Sequence, residues 1–205
     1  AMRNGIIVTV LFACLIGSAL LFYAGWELII VGLLCVLFAF LYTTGPYPLS
    51  YNGWGDVLVI VFFGFVPVGG TYYVQALTWT SDTTVASLIC GLLIDTLLVV
   101  NNYRDREADA RSGKRTVIVR FGEKFGRYLY LMLGVAASLL CFWFFFEGHL
   151  FAALLPLLYL IPHVLTWRRM VQIHSGKKLN SILGETSRNM LLMGILLSIG
   201  FLIRH

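Results

Sequence analysis

Asn101, Asp105 and Asp109 recur every four residues in the run Asn101-Asn102-Tyr103-Arg104-Asp105-Arg106-Glu107-Ala108-Asp109. On a helix that spacing puts the three on one face, with neighbouring Cβ atoms about 5–6 Å apart. Two aligned carboxylates repel and contribute little to helix stability by themselves. A divalent cation between them reverses the sign. Magnesium takes one or two carboxylates and fills its other positions with water and substrate phosphate oxygens, and the Asn101 amide adds a neutral oxygen. Arg111, Gly113, Lys114, Arg115 and Arg120 follow directly. Acids on one side and bases on the other suit a diphosphate bridged by metal. The Gly-rich run of a P-loop is missing. A solvated charged loop is the competing account; it explains the arginines, but less well the register of the acids.

These residues must be positioned by apolar elements. The 205-residue chain is 59% hydrophobic and 12% charged, and its mean hydropathy is +0.85. A soluble domain has roughly 45–50% apolar and 25% charged residues, so a soluble enzyme, a disordered chain and a disulfide scaffold are excluded. Seven apolar stretches stand out: 6–23, 28–42, 57–77, 84–100, 128–146, 150–167 and 190–203. In hydrocarbon each must be a helix, since the backbone finds no other partners there. The expected fold is an all-α polytopic membrane bundle of seven transmembrane helices.

Eight of the fifteen lysines and arginines lie between Arg104 and Arg127, and five between Arg168 and Arg188. The loops between them carry acids only. The positive-inside rule then places the basic loops and Arg3 in the cytoplasm, with Arg204 the one exception. The basic balance reads as membrane topology, with no nucleic acid partner. The segment from Arg168 to Lys178, basic and partly apolar, is expected to lie along the anionic inner leaflet.

Asp95 falls inside an apolar stretch, where a charge is costly, so it should face the bundle interior. Gly64, Pro67, Gly69 and Gly70 interrupt the third span. Either a kink or close helix contact, or a break lining a cavity, accounts for them. Cys14, Cys35, Cys90 and Cys141 show no ligand spacing and read as buried, inert thiols. His149, His163, His174 and His205 read as interfacial or loop residues.

The run from Asn101 to Asp109, continued by Gly113-Lys114-Arg115-Thr116 and Arg120-Phe121-Gly122, resembles the second aspartate motif of the UbiA superfamily of membrane prenyltransferases. The stretches from Tyr42 to Asp56 and from Gly69 to Gln75 are similar to the branch that acts on 1,4-dihydroxy-2-naphthoate in menaquinone synthesis. The resemblance implies that Asp105 and Asp109 bind Mg2+, which holds a polyprenyl diphosphate. Asn101 and Arg104 would support that site. Lys114 and Arg115 would neutralise the departing diphosphate. Tyr72 is implied as a wall residue, and Gln75, Asn52 and Tyr51 as groups that orient the acceptor. The product would be demethylmenaquinone, formed with loss of the acceptor carboxylate in the cell's inner membrane.

The family has nine spans and a first motif, Asn-x3-Asp-x3-Asp, at the end of its second span. No such string precedes Ile6. The chain is therefore expected to be one prenyltransferase domain lacking its N-terminal segment, the last seven helices of nine. Three alternatives stay open: another aromatic acceptor, a fragment inactive without the missing helices, and a seven-helix transporter or receptor.

Overall fold

The structure, a computed structural model, describes residues 2–203; Arg204 and His205 lie outside them. The described chain forms seven long helices in sequence order. They are α1 (Met2–Ser18), α2 (Glu27–Thr43), α3 (Gly55–Ala76), α4 (Ser81–Arg111), α5 (Val117–Leu140), α6 (Leu150–Ile173) and α7 (Lys177–Leu202). Six of these regions are long and apolar enough to cross a membrane, and α2 is a shorter apolar helix. The expected polytopic helical bundle is what forms.

Helices α4 to α7 enclose the core. At one end Val100 and Tyr103 of α4 pack with Ile118 and Tyr130 of α5, Met170 of α6 and Ile182 of α7. At the other end Ile89, Ala137, Phe144, Ala152, Tyr159 and Met193 form a second cluster. α3 leans on α4 through glycines. A Cβ on Gly64 would stand 2.8 Å from Gly91 Cα and 2.5 Å from the Ser87 carbonyl oxygen. Gly64 and Gly91 are therefore small because two backbones meet there. Around them, over Ile60–Gly69, the helix widens to a π register that accommodates Pro67. At Gly64 the close helix contact is what is observed, Gly69 faces the Trp79 ring, and Gly70 stands in open space. Among the described residues, helices α1 and α2 bury none of their own in this bundle.

Helix ends differ from the hydropathy expectation. The fourth span was expected to stop near Val100; α4 runs to Arg111. Much of the presumed basic loop is thus helix, and α5 starts at Val117 after a short connection. Nothing between Asn101 and Arg111 breaks a helix; the first glycine is Gly113, at φ +81°. Thr80 and Thr116 cap α4 and α5, their hydroxyl oxygens accepting from the backbone N–H of Thr83 and Val119. Likewise Arg168–Ile173 complete α6, and the polar residues before Met190 belong to α7. Hydropathy marks where lipid begins, and the backbone pattern continues past it.

Two smaller expectations are corrected. His163 is fully buried, stacked on Tyr130 and Tyr159 with ring centroids 4.7 and 5.0 Å away. Its Nδ1 pairs with the Tyr159 hydroxyl at 2.9 Å. It is a core residue, admitted because Gly134 opposite it has no side chain. All four cysteines are free, but only Cys141 is buried; Cys14 is exposed and the other two are half-buried. Asp95 is buried, as expected of an acid in a span.

Candidate active site

Because α4 continues as a helix, Asn101, Asp105 and Asp109 do share one face, and each is held by a cation. Arg104 reaches across the face. Its Nη2 donates to Asn101 Oδ1 at 2.8 Å and to Asp105 Oδ2 at 2.6 Å, and its Nε donates to Asp105 Oδ1 at 2.7 Å. Its remaining Nη1 donates to Asn180 Oδ1 on α7 at 3.0 Å. Asp109, only 7% exposed, pairs with Lys114, whose Nζ lies 3.0 Å from Oδ1. The turn at Gly113 makes that pairing local, since the Lys114 N–H also donates to the Asp109 carbonyl at 2.9 Å. The Asp109 carboxylate keeps the Lys114 ammonium above the usual lysine range.

A second segment closes over this end. The stretch between α2 and α3 is fastened to the α4–α5 connection by a main-chain bond and to the start of α5 by an arginine side chain. The Arg115 N–H donates to the Tyr51 carbonyl at 2.7 Å, and Arg120 Nη2 to the Asn52 carbonyl at 2.7 Å. Gly53 sits under that clasp at φ +82°, where a Cβ would stand 2.9 Å from the Arg115 carbonyl oxygen. Only glycine fits there. Ser50 Oγ ties the segment back to the Tyr42 carbonyl at 2.6 Å.

Between these parts lies a cavity of about 430 Å³, with Tyr42, Tyr51, Asp56, Asn101, Asn102 and Lys114 on its walls. The Lys114 ammonium lies 5.3 Å from the centre of the Tyr51 ring, within cation–π range. Asp56 stands in the first turn of α3, a favourable place for a negative charge. Its Oδ1 is buried and has no hydrogen-bond partner, and the same holds for Oδ1 of Asp95 on the neighbouring α4. Polar atoms left unpaired inside a protein are costly, and Asp56 is positioned to bond something placed in the cavity.

The structure sorts the expected residues. It brings Asn101, Lys114 and Tyr51 to the cavity and sets Asp105, Asp109 and Arg104 along the adjoining helix face. Arg115 contributes its backbone, while its side chain points to the surface. Asn52 spends its side chain within its own segment, donating to the Pro48 carbonyl at 2.8 Å. Tyr72 and Gln75 are not brought here. They lie near the opposite end of α3, roughly 24–28 Å from Asp56 along its axis at the usual rise per residue, and Gln75 bonds its own helix at Thr71. In the sequence Asp56 only closes the stretch that begins at Tyr42. Its available signal was an acid opening an apolar run.

No three acidic, histidine or cysteine side chains gather among the described residues. The donor set is two carboxylates and one amide oxygen, which fits magnesium when a diphosphate supplies the other oxygens. Arg104 and Lys114, the cations now on those carboxylates, are groups that bind phosphate equally well.

The family model of the UbiA prenyltransferases matches residues 2–199. The chain belongs to the UbiA prenyltransferase family. Among similar proteins is 1,4-dihydroxy-2-naphthoate octaprenyltransferase of Haemophilus influenzae, 38% identical over 84% of this chain and 56% of that protein. The protein of the same name from Escherichia coli is 38% identical over 68% of this chain and 47% of its own length. That of Mycobacterium tuberculosis is 44% identical over 58% and 40%. The chain spans about half the length of the curated relatives it matches.

Proposed function

We propose that this chain builds the second-motif part of an active site that moves a polyprenyl group from its diphosphate to 1,4-dihydroxy-2-naphthoate. The observation that carries the reading is the Asn101–Asp105–Asp109 face beside Lys114 at the mouth of a cavity. The similarity to three naphthoate octaprenyltransferases supports the acceptor. Asp105 and Asp109 would hold magnesium, which when bound supplies positive charge to the leaving diphosphate. On this reading the site faces the cytoplasm of the inner membrane, an orientation that the basic connections support under the positive-inside rule. A first aspartate motif, contributed by sequence outside these 205 residues, completes it, and the chain is then one part of a single prenyltransferase domain.

The chain's own groups have defined tasks. Arg104 and Lys114 turn from the carboxylates to the phosphate oxygens as negative charge grows there. The allylic C–O bond breaks and its electron pair leaves with the diphosphate. Tyr42 and Tyr51 present π faces to the resulting cation, and the clasp at Gly53 keeps water away from it. Asp56, with a free oxygen in the cavity wall, takes the proton of an acceptor hydroxyl and so strengthens the ring as a nucleophile. The ring carbon that carries the carboxylate bonds the prenyl carbon, carbon dioxide departs and leaves its bonding pair to the ring, Asp56 returns the proton to the ring oxygen, and the reduced (quinol) form of demethylmenaquinone results.

The test is turnover in lipid nanodiscs with labelled prenyl diphosphate. Magnesium-dependent product from dihydroxynaphthoate is expected once the first motif is supplied in trans. Product from 4-hydroxybenzoate alone would replace the acceptor. Flux of a solute across liposomes, with no prenyl transfer under any condition, would overturn the enzyme reading.

A further inference from the structure

A second cleft of about 430 Å³ opens between α6 and α7, at the end of the bundle that carries the motif but separate from it. Its lining includes Arg168, Arg169, Arg188 and Glu185. Glu185 is fully engaged: Oε1 accepts from Arg169 at 2.6 Å and Oε2 from the Thr166 hydroxyl at 3.3 Å. Thr166 in turn accepts from Asn189 Nδ2 at 3.0 Å, and both of these are buried. The floor is thus a fixed polar network. Arg168 and Arg188 have no hydrogen bond or ion pair among the described residues and stand exposed at the rim.

Their height in the membrane limits what can neutralise them. The apolar stretch of α6 ends at Trp167 and that of α7 begins at Met190. Arg168 and Arg188 are therefore the first basic groups beyond lipid on each helix, with Trp167 in the residue type that marks the interface. Deeper in the membrane the same two helices expose Leu165 at 53% and Ile195 at 46%. Two unpaired guanidiniums thus sit above apolar helix surface: Leu165 lines the cleft itself, and Ile195 lies two turns along α7 from Arg188, on the same helix face.

We infer that this cleft is a binding site for one anionic phospholipid. Its phosphate is gripped by Arg168 and Arg188 in charge-assisted bonds. Its acyl chains lie along the Leu165 and Ile195 surfaces. A free phosphate would match the guanidiniums but leave the apolar walls unused, so the lipid is the better occupant. The site is independent of prenyl transfer, and its test reads binding alone.

The protein would be delipidated in a neutral detergent and titrated with phosphatidylglycerol or phosphatidylcholine. Native mass spectrometry would count bound lipid, and thermal unfolding would follow the stabilisation. One phosphatidylglycerol is expected to bind at least about tenfold more tightly than phosphatidylcholine. Inorganic phosphate at millimolar concentration should fail to displace it. The double variant Arg168→Gln/Arg188→Gln should lose the preference, and Arg168→Lys/Arg188→Lys should retain most of it. Equal binding of the two lipids by the unaltered protein would overturn the proposal even if the variants fail to fold. So would displacement by free phosphate, or an undiminished preference in a folded double glutamine variant.

Discussion

Replacing Asp109 by Asn removes one charge and almost no volume. In the resting structure the lost partner is Lys114, 3.0 Å away, with 33% of its side chain in water. Lys114 can therefore be resolvated. The stability cost is about 1 kcal/mol, the upper range for an exposed pair. For a chain of this size that lowers Tm by about 2–4 °C. Binding of magnesium and a prenyl diphosphate should suffer more. Two unit charges about 4 Å apart at an effective dielectric of about 20 attract by about 4 kcal/mol. Freeing Lys114 to meet the diphosphate returns about 1 kcal/mol of this. The net loss of about 3 kcal/mol is roughly a hundredfold in affinity. A non-hydrolysable prenyl thiodiphosphate, titrated calorimetrically with and without magnesium, reads that number. Glu107→Gln is the matched control: the same charge is removed two residues away, from an exposed position off the motif face. Magnesium-dependent affinity in Asp109→Asn within twofold of the control would refute the assignment.

Gly64→Ala should lower stability by about 1–3 kcal/mol through overpacking, because its methyl meets backbone atoms of Ser87 and Gly91. Gly70→Ala, with nothing within 4 Å, should instead be neutral or gain up to about 1 kcal/mol in helix propensity; paired thermal melts decide between them. Gly53→Ala forces a side chain onto φ +82°, at about 1–2 kcal/mol. It should loosen the clasp, seen as faster amide exchange at Arg115. The Asp109–Lys114 link should persist through neutral pH. The pKa of Lys114 is raised in the folded state, so its contribution is complete below the unfolded value of about 10.4 and fades as pH climbs through the folded one. A melt series in which that contribution, read against Lys114→Met, disappears on going from pH 7 to 9 would contradict this.

Hydropathy alone located all seven helices, because the cost of an unpaired backbone in lipid leaves no other solution. It misjudged their ends. The polar turns from Asn101 to Arg111 and from Asn180 to Asn189 are helical because charge does not stop a helix; α4 ends only where Gly113 turns the chain at positive φ. The i, i+4, i+8 register of the acids was legible for the same reason: it is local and follows from helical periodicity. Non-local contacts were not. His163 looked interfacial because nothing in its neighbourhood announces Gly134 and Tyr130 on α5. The clasp between Tyr51 and Arg115 joins main-chain atoms and leaves no trace in residue types. Asp95 stands out in the sequence as an acid within an apolar stretch, whereas Asp56 becomes notable only when its carboxylate oxygen is found buried without a partner at the cavity. Tyr72 and Gln75 belong to a stretch that marks a branch of the family, yet α3 carries them away from the motif.

On the proposed function, the Asp105–Asp109 face binds a divalent ion bridged to diphosphate. Manganese in place of magnesium makes this directly visible by electron paramagnetic resonance. With a prenyl thiodiphosphate bound, a phosphorus-31 hyperfine coupling at the manganese is predicted, lost in the Asp105→Asn/Asp109→Asn double variant and kept in Glu107→Gln. A coupling that survives the double variant unchanged would place the metal elsewhere and contradict the account.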